Sequence, residues 1–227
     1  MGVKQIMKEL KKNSKCTKKN LEGMARFGIN VDKVLCVPIP FVKKLAKKIG
    51  KDHKLALELW KTEYTETRML AAFIDDPLKV TEKQMDKWAK DFNCWTICDQ
   101  TCSYLFDRTS FYIKKIFEYV KSKKEFVKRA GFVMMATSAV HDKKANDKQF
   151  LRYLPTIVKY ADDERNFVKK GINWALRNIG KRNLTLNKAA IKAGEDILKK
   201  HSDSKAARWI ARDAIRELKE KAKIMKN

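Results

Sequence analysis

Glycine and proline are scarce, with eight and four residues in a chain of 227. So little punctuation leaves room for short loops only, and strand-like alternation of apolar and polar residues is hard to find. Long apolar runs are missing as well. No stretch approaches the 18 or more uninterrupted apolar residues of a spanning helix, and the first twelve residues alternate lysine with apolar side chains and lack a secretory h-region. A non-secreted protein is therefore expected, cytoplasmic and nucleoid-associated or else nuclear. Gly2 follows Met1, but Ile6 stands where a myristoylation motif wants Ser or Thr. Histidine is rare too: His53, His141 and His201 are far apart in sequence, and no CxxC pair exists, so neither half of a zinc motif is present. P-loop, GxGxxG and GxSxG sequences are absent, and no cofactor or metal is expected. Five cysteines is an odd number for a disulfide framework, and their placement in apolar segments suits reduced thiols.

What is abundant is positive charge. Lysine plus arginine total 52 against 27 acidic residues, a formal net charge of +25. An excess of this size predicts a polyanionic partner, and duplex DNA, with one negative charge per roughly 1.7 Å of axis, rewards a basic stripe through counterion release. An anionic membrane surface offers the same attraction. Hydrophobic content of 44% is enough for a real core, and apolar residues recur at three- and four-residue spacing almost throughout. That period predicts an all-α chain with helices near 3–11, 17–27, 40–50, 53–62, 65–74, 82–91, 94–106, 109–121, 124–140, 146–160, 163–180, 184–200 and 204–223. No linker is long enough to separate domains, so residues 1–227 read as a single helical-repeat domain.

The segment Glu125-Phe126-Val127-Lys128-Arg129-Ala130 is echoed by Asn166-Phe167-Val168-Lys169-Lys170-Gly171, 41 residues later. That period lies in the range of HEAT and armadillo repeats, whose paired helices stack into a curved solenoid with an extended concave face. A single echo also arises by chance.

Chemistry concentrates in a few places. Between Phe92 and Phe106 the only charged residue is Asp99, and Trp95 precedes it by one helical turn, so an indole and a carboxylate share a face. Asp99 is either a structural acid bonded to a nearby cation or a carboxylate set beside a developing positive charge. Arg129 sits among Phe126, Val133 and Ala136, and a guanidinium at the edge of an apolar stripe needs an anion, a carboxylate or a phosphate. In the 41-residue register Val133 corresponds to Trp174, which shares its helical face with Lys170, Arg177 and Lys181. Such a face suits a nucleic-acid backbone, or else it is a core tryptophan among solvated lysines. Cys94, Cys98 and Cys102 fall at successive i+4 steps and read as buried core thiols.

With these residues in view, the chain resembles the AlkD-like DNA alkylation repair enzymes. The resemblance rests on Met24-Ala25-Arg26-Phe27, on Glu58-Leu59-Trp60 followed by Arg68 to Ile74, on the Trp95 to Asp99 helix, and on Asn166 to Arg177. It implies a HEAT-like solenoid with a basic concave face. It also implies a monomeric glycosylase that hydrolyses the N-glycosidic bond of cationic N3- and N7-alkylated purines in double-stranded DNA, from the backbone side and without a tight base pocket. Asp99, Trp95, Trp174 and Arg129 fall on the family's catalytic-site positions. Phe27 falls where members often carry a Tyr near the DNA backbone, and with Lys170, Arg177 and Lys181 it makes up the expected DNA-binding set. The aspartate helix departs from the family pattern in its cysteines. A scaffold that binds nucleic acid or protein without chemistry is the competing expectation.

Overall fold

The computed structural model describes residues 1–226. Fourteen α-helices and one 3-10 turn make up the described chain, with no β-strand among those residues. They divide into two compact units, Met1–Phe111 and Tyr112–Asn227.

The first unit holds α1 (Val3–Lys12), α2 (Lys18–Arg26), α3 (Ile39–Ile49), α4 (His53–Trp60), α5 (Thr65–Ile74), α6 (Glu82–Lys90) and α7 (Trp95–Tyr104), followed by the 3-10 turn Phe106–Arg108. Its centre is α5, of whose ten residues nine are buried, packed against α3, α4 and α7. Several of those buried residues are polar, and two of them hold neighbouring segments. The Glu66 carboxylate accepts the backbone N–H groups of Leu35 (2.9 Å) and Val37 (3.1 Å), fixing the loop before α3; burial raises its pKa against those bonds. Arg68 lies over the Trp60 ring and donates to the Asp91 carbonyl, while Trp60 stacks on Trp88 with ring centroids 3.9 Å apart. The Trp60 and Arg68 segments that carry part of the family resemblance are thus core-building residues.

The second unit comprises α8 (Tyr112–Tyr119), α9 (Glu125–His141), α10 (Asp147–Leu151), α11 (Leu154–Lys159), α12 (Asn166–Gly180), α13 (Leu184–Lys200) and α14 (Lys205–Lys226). Here α9, α12 and α14 lie side by side in that order, α8 backs α9, and α13 backs α12 and α14. The expected 41-residue period is visible as direct contact. Phe126 and Phe167, the aromatic pair of the echo, meet at 5.4 Å between centroids. The Asn178 side chain reaches back 42 residues to the Ala136 carbonyl, and Asn173 reaches forward 37 to that of Ile210. Successive repeats are therefore stitched by side chains to backbone, at these two positions by neutral amides.

Two expectations need correction. A single helix over 146–160 is in fact two, because Pro155 begins a new helix within the first turn of α11; lacking an N–H, it cannot continue α10. The cysteines are also not all reduced. Cys16 and Cys36 form a disulfide with Cα atoms 5.1 Å apart, within the usual range for such a bridge. Both lie in loops flanking α2 and α3 and not within an apolar helix, so the argument from buried placement does not reach them. Cys94, Cys98 and Cys102 form no disulfide and are buried, as expected.

Candidate functional site

In the first unit, Trp95 and Asp99 lie on α7. The chain enters α7 in an extended conformation at Cys94, and Trp95 opens the helix. Its indole N–H donates to the Phe27 carbonyl over 2.8 Å, which ties the start of α7 to the end of α2. Trp95 is half-buried, whereas Asp99, one turn later, keeps only 8% of its surface. A carboxylate so nearly dry acts through a low effective dielectric, where its field on a neighbouring cation is stronger than in water. The cysteines pack inward from the same helix. Burial raises the Cys94 thiol and pushes Cys102 well above the usual thiol range, so neither supplies a thiolate nucleophile near neutral pH.

Phe27 caps α2 with 71% of its surface exposed. It stands at the rim of a cavity of about 560 Å³, which Trp95 and Lys19 also line.

In the second unit, Arg129 lies on α9 and Trp174 on α12. Arg129 on α9 is 6% exposed, and its Nη1 donates to the Phe167 carbonyl over 2.6 Å. Its aliphatic stem lies along α12 at Gly171, where an added Cβ would stand 3.6 Å from the Arg129 Cγ. Trp174 is half-buried on α12 and Lys170, one turn earlier, is exposed. Arg177 and Lys181 are not free cations. Both pair with the Glu217 carboxylate of α14, and Arg177 also approaches Asp213 at 3.9 Å. Against burial, these cations hold the Glu217 carboxyl below its ordinary range. Sequence reasoning missed Glu217 and Asp213. An offset one residue shorter than the echo's 41 relates them, since Glu217 lies 40 residues beyond Arg177 and Asp213 lies 40 beyond Asn173.

A profile of DNA alkylation repair enzymes matches residues 6–218. The chain belongs to that family. Its fold is also that of a solved structure, described as representing a new family of proteins related to the HEAT-like repeat DNA glycosylases with affinity for branched DNA structures. The TM-score is 0.75 at 18% identity, over 86% of this chain and 83% of the other. No curated protein sequence matches significantly. The all-α, HEAT-like architecture expected from the 41-residue echo is thus the architecture found. Among the described residues no helix is long and apolar enough to cross a membrane.

Proposed function

We propose that this member of the DNA alkylation repair family is a DNA-alkylpurine N-glycosylase. The observation that carries the reading is Asp99, an acid 8% exposed and one turn from an accessible indole, on a helix otherwise free of charge. A purine alkylated at N3 or N7 is already cationic, so it leaves as a neutral base with the electrons of the C1′–N bond and needs no general acid. What remains is an electron-poor deoxyribose. An ionised carboxylate about 4 Å from that oxocarbenium supplies on the order of 4 kcal/mol at an effective dielectric near 20, or roughly a thousandfold in rate. Water then adds at C1′ and loses a proton, with Asp99 orienting it. In the first unit Trp95 offers a ring face to the sugar and Phe27 meets the duplex backbone; in the second, Trp174, Arg129 and Lys170 meet the duplex, and Arg177 and Lys181 join them on release from Glu217.

The test is to incubate the protein with methylated duplex DNA and identify the released bases by chromatography. Release of N3-methyladenine and N7-methylguanine, with little hypoxanthine from an inosine-containing duplex, is expected. Efficient hypoxanthine release would contradict a mechanism that relies on the leaving group's own charge.

A second reading is a DNA-binding protein without excision chemistry. It is favoured by the structural relative, whose description records affinity for branched DNA. Tight binding to a four-way junction with no base released from methylated DNA would select it.

A further inference from the structure

Helices α4 and α6 flank a second cavity, of about 430 Å³. No residue of α7 lines it, so it is separate from Trp95 and Asp99. Its apolar lining comes from Leu57 and from Trp60 and Trp88, the stacked indole pair. Lys61, Lys83 and Lys87 line it as well; all three are exposed, and none is in an ion pair among the described residues. No carboxylate lines it among those residues. A fourth nitrogen group in the wall is held in place by a buried acid. The Nδ1 of His53 lies 2.6 Å from Oδ1 of Asp75, whose side chain is fully buried. The Gln84 amide donates to the other Asp75 oxygen over 2.6 Å, and the Asp76 N–H donates to Oδ1 over 2.8 Å. With a carboxylate accepting at Nδ1, that nitrogen carries the proton, and Nε2 is left for a ligand. Nε2 makes no hydrogen bond among the described residues.

Three ammonium groups and an imidazole around one space are more than a singly charged carboxylate or phosphodiester calls for. A phosphate monoester carries roughly −1.5 to −2 near pH 7 and offers three strong acceptor oxygens. The imidazole suits it in either form, since neutral Nε2 accepts from a P–OH and the imidazolium donates to a P–O⁻. The volume lies within the roughly 300–1,000 Å³ of small-molecule sites. We propose that this cavity binds a phosphate monoester, its phosphoryl oxygens met by His53 and the three lysines and its organic part lying against Leu57. The monoester is either a free small molecule or the terminal phosphate of a nucleic-acid strand. The site goes beyond the excision reading and does not depend on it.

Phenyl phosphate, a monoester with a flat apolar part, is the probe. Calorimetric titration of the intact protein with it should show saturable binding, and benzoate, with the same ring and a single charge, should bind at least about tenfold more weakly. His53→Asn sets a side-chain amide where Nδ1 stood, so it retains a donor for Asp75 and removes Nε2. It should weaken phenyl phosphate at least about tenfold with the melting temperature little changed. Lys83→Ala with Lys87→Ala alters exposed positions only and should weaken it to a similar extent. Lys219→Ala with Lys223→Ala on α14 removes the same charge outside the cavity and should leave binding unchanged, which separates a site from the general pull of a +25 chain.

A nicked duplex separates the two sources. A strand end as occupant predicts that the native protein prefers a nick bearing a 5′-phosphate over one bearing a 5′-hydroxyl, and that His53→Asn loses this preference. A free monoester as occupant predicts saturable phenyl phosphate binding with no such preference. The proposal is overturned if phenyl phosphate does not saturate, or if benzoate binds as tightly. It is equally overturned by native-like binding in folded His53→Asn or in the Lys83 and Lys87 double variant, or by an equal loss in the α14 double variant. These titrations need no excision, so loss of the repair reading and loss of this site are read separately.

Discussion

Phe27 exposes 71% of its surface, yet its carbonyl is taken by Trp95. Adding a hydroxyl to the ring leaves that bond intact and places a donor in solvent at the cavity rim. Phe27→Tyr is therefore expected to tighten binding of undamaged duplex by about 1 kcal/mol, the usual net value of one hydrogen bond, in a fluorescence anisotropy titration. Unchanged affinity would remove this position from the DNA contact. Asp163 bears on stability instead. Burial raises its carboxyl, but hydrogen bonds from Arg165 and Lys128 outweigh burial and hold it down to about 2, below the ordinary 3.8. The native state thus binds fewer protons than the unfolded chain at this site, and its stabilising contribution is present above about pH 4 and lost as the pH falls toward 2. Asp163→Asn should cost about 1 kcal/mol at pH 7 after discounting for solvent screening, and less as the pH falls through that window. Thermal melts at stepped pH measure this, and a difference that grows on acidification would contradict it.

At the scale of helices, spacing alone carried much of the answer. The three- and four-residue recurrence placed nearly every helix, and the aromatic pair of the 41-residue echo, Phe126 and Phe167, is in contact. The split at Pro155 was readable from proline chemistry. The Cys16–Cys36 bridge was not, since loop cysteines twenty residues apart give no sign of which loops meet. Close helix approach is equally invisible in composition. At Gly131 an added Cβ would stand 2.9 Å from the Val120 backbone nitrogen and 3.1 Å from the Ile116 carbonyl, so α8 and α9 would have to part. Alanine's helix-propensity advantage of about 1 kcal/mol is smaller than the upper part of the 1–3 kcal/mol range for overpacking, and the contacts here are largely to unyielding backbone. Gly131→Ala should lower the denaturation midpoint; an unchanged or higher midpoint would show that the two helices separate freely.

Helix α14 changes the meaning of α12. Arg177 and Lys181 share the Glu217 carboxylate, so both cations are already paired within the protein. Glu217→Gln should release both cations, raise affinity for duplex DNA several-fold and steepen the salt dependence by about one phosphate contact. Weaker binding by this variant would mean that Glu217 orders the two side chains for DNA and does not compete with it.

For the whole molecule, the net charge of +25 predicts the character of binding more securely than its specificity. A surface touching about six phosphates gives a log-log slope of affinity against salt near −5, while a protein-binding scaffold gives a nearly flat one. Charge, helical period and repeat offset were all available in the sequence. The proposed chemistry rests on Asp99, whose isolation among uncharged neighbours in the sequence raised the question, and which is almost fully buried one turn from Trp95. Single-turnover release of N7-methylguanine from methylated duplex, comparing the native protein with Asp99→Asn at matched DNA occupancy, tests that assignment most directly. A fall of roughly a thousandfold with DNA affinity retained is predicted; excision at the native rate by the variant would contradict it.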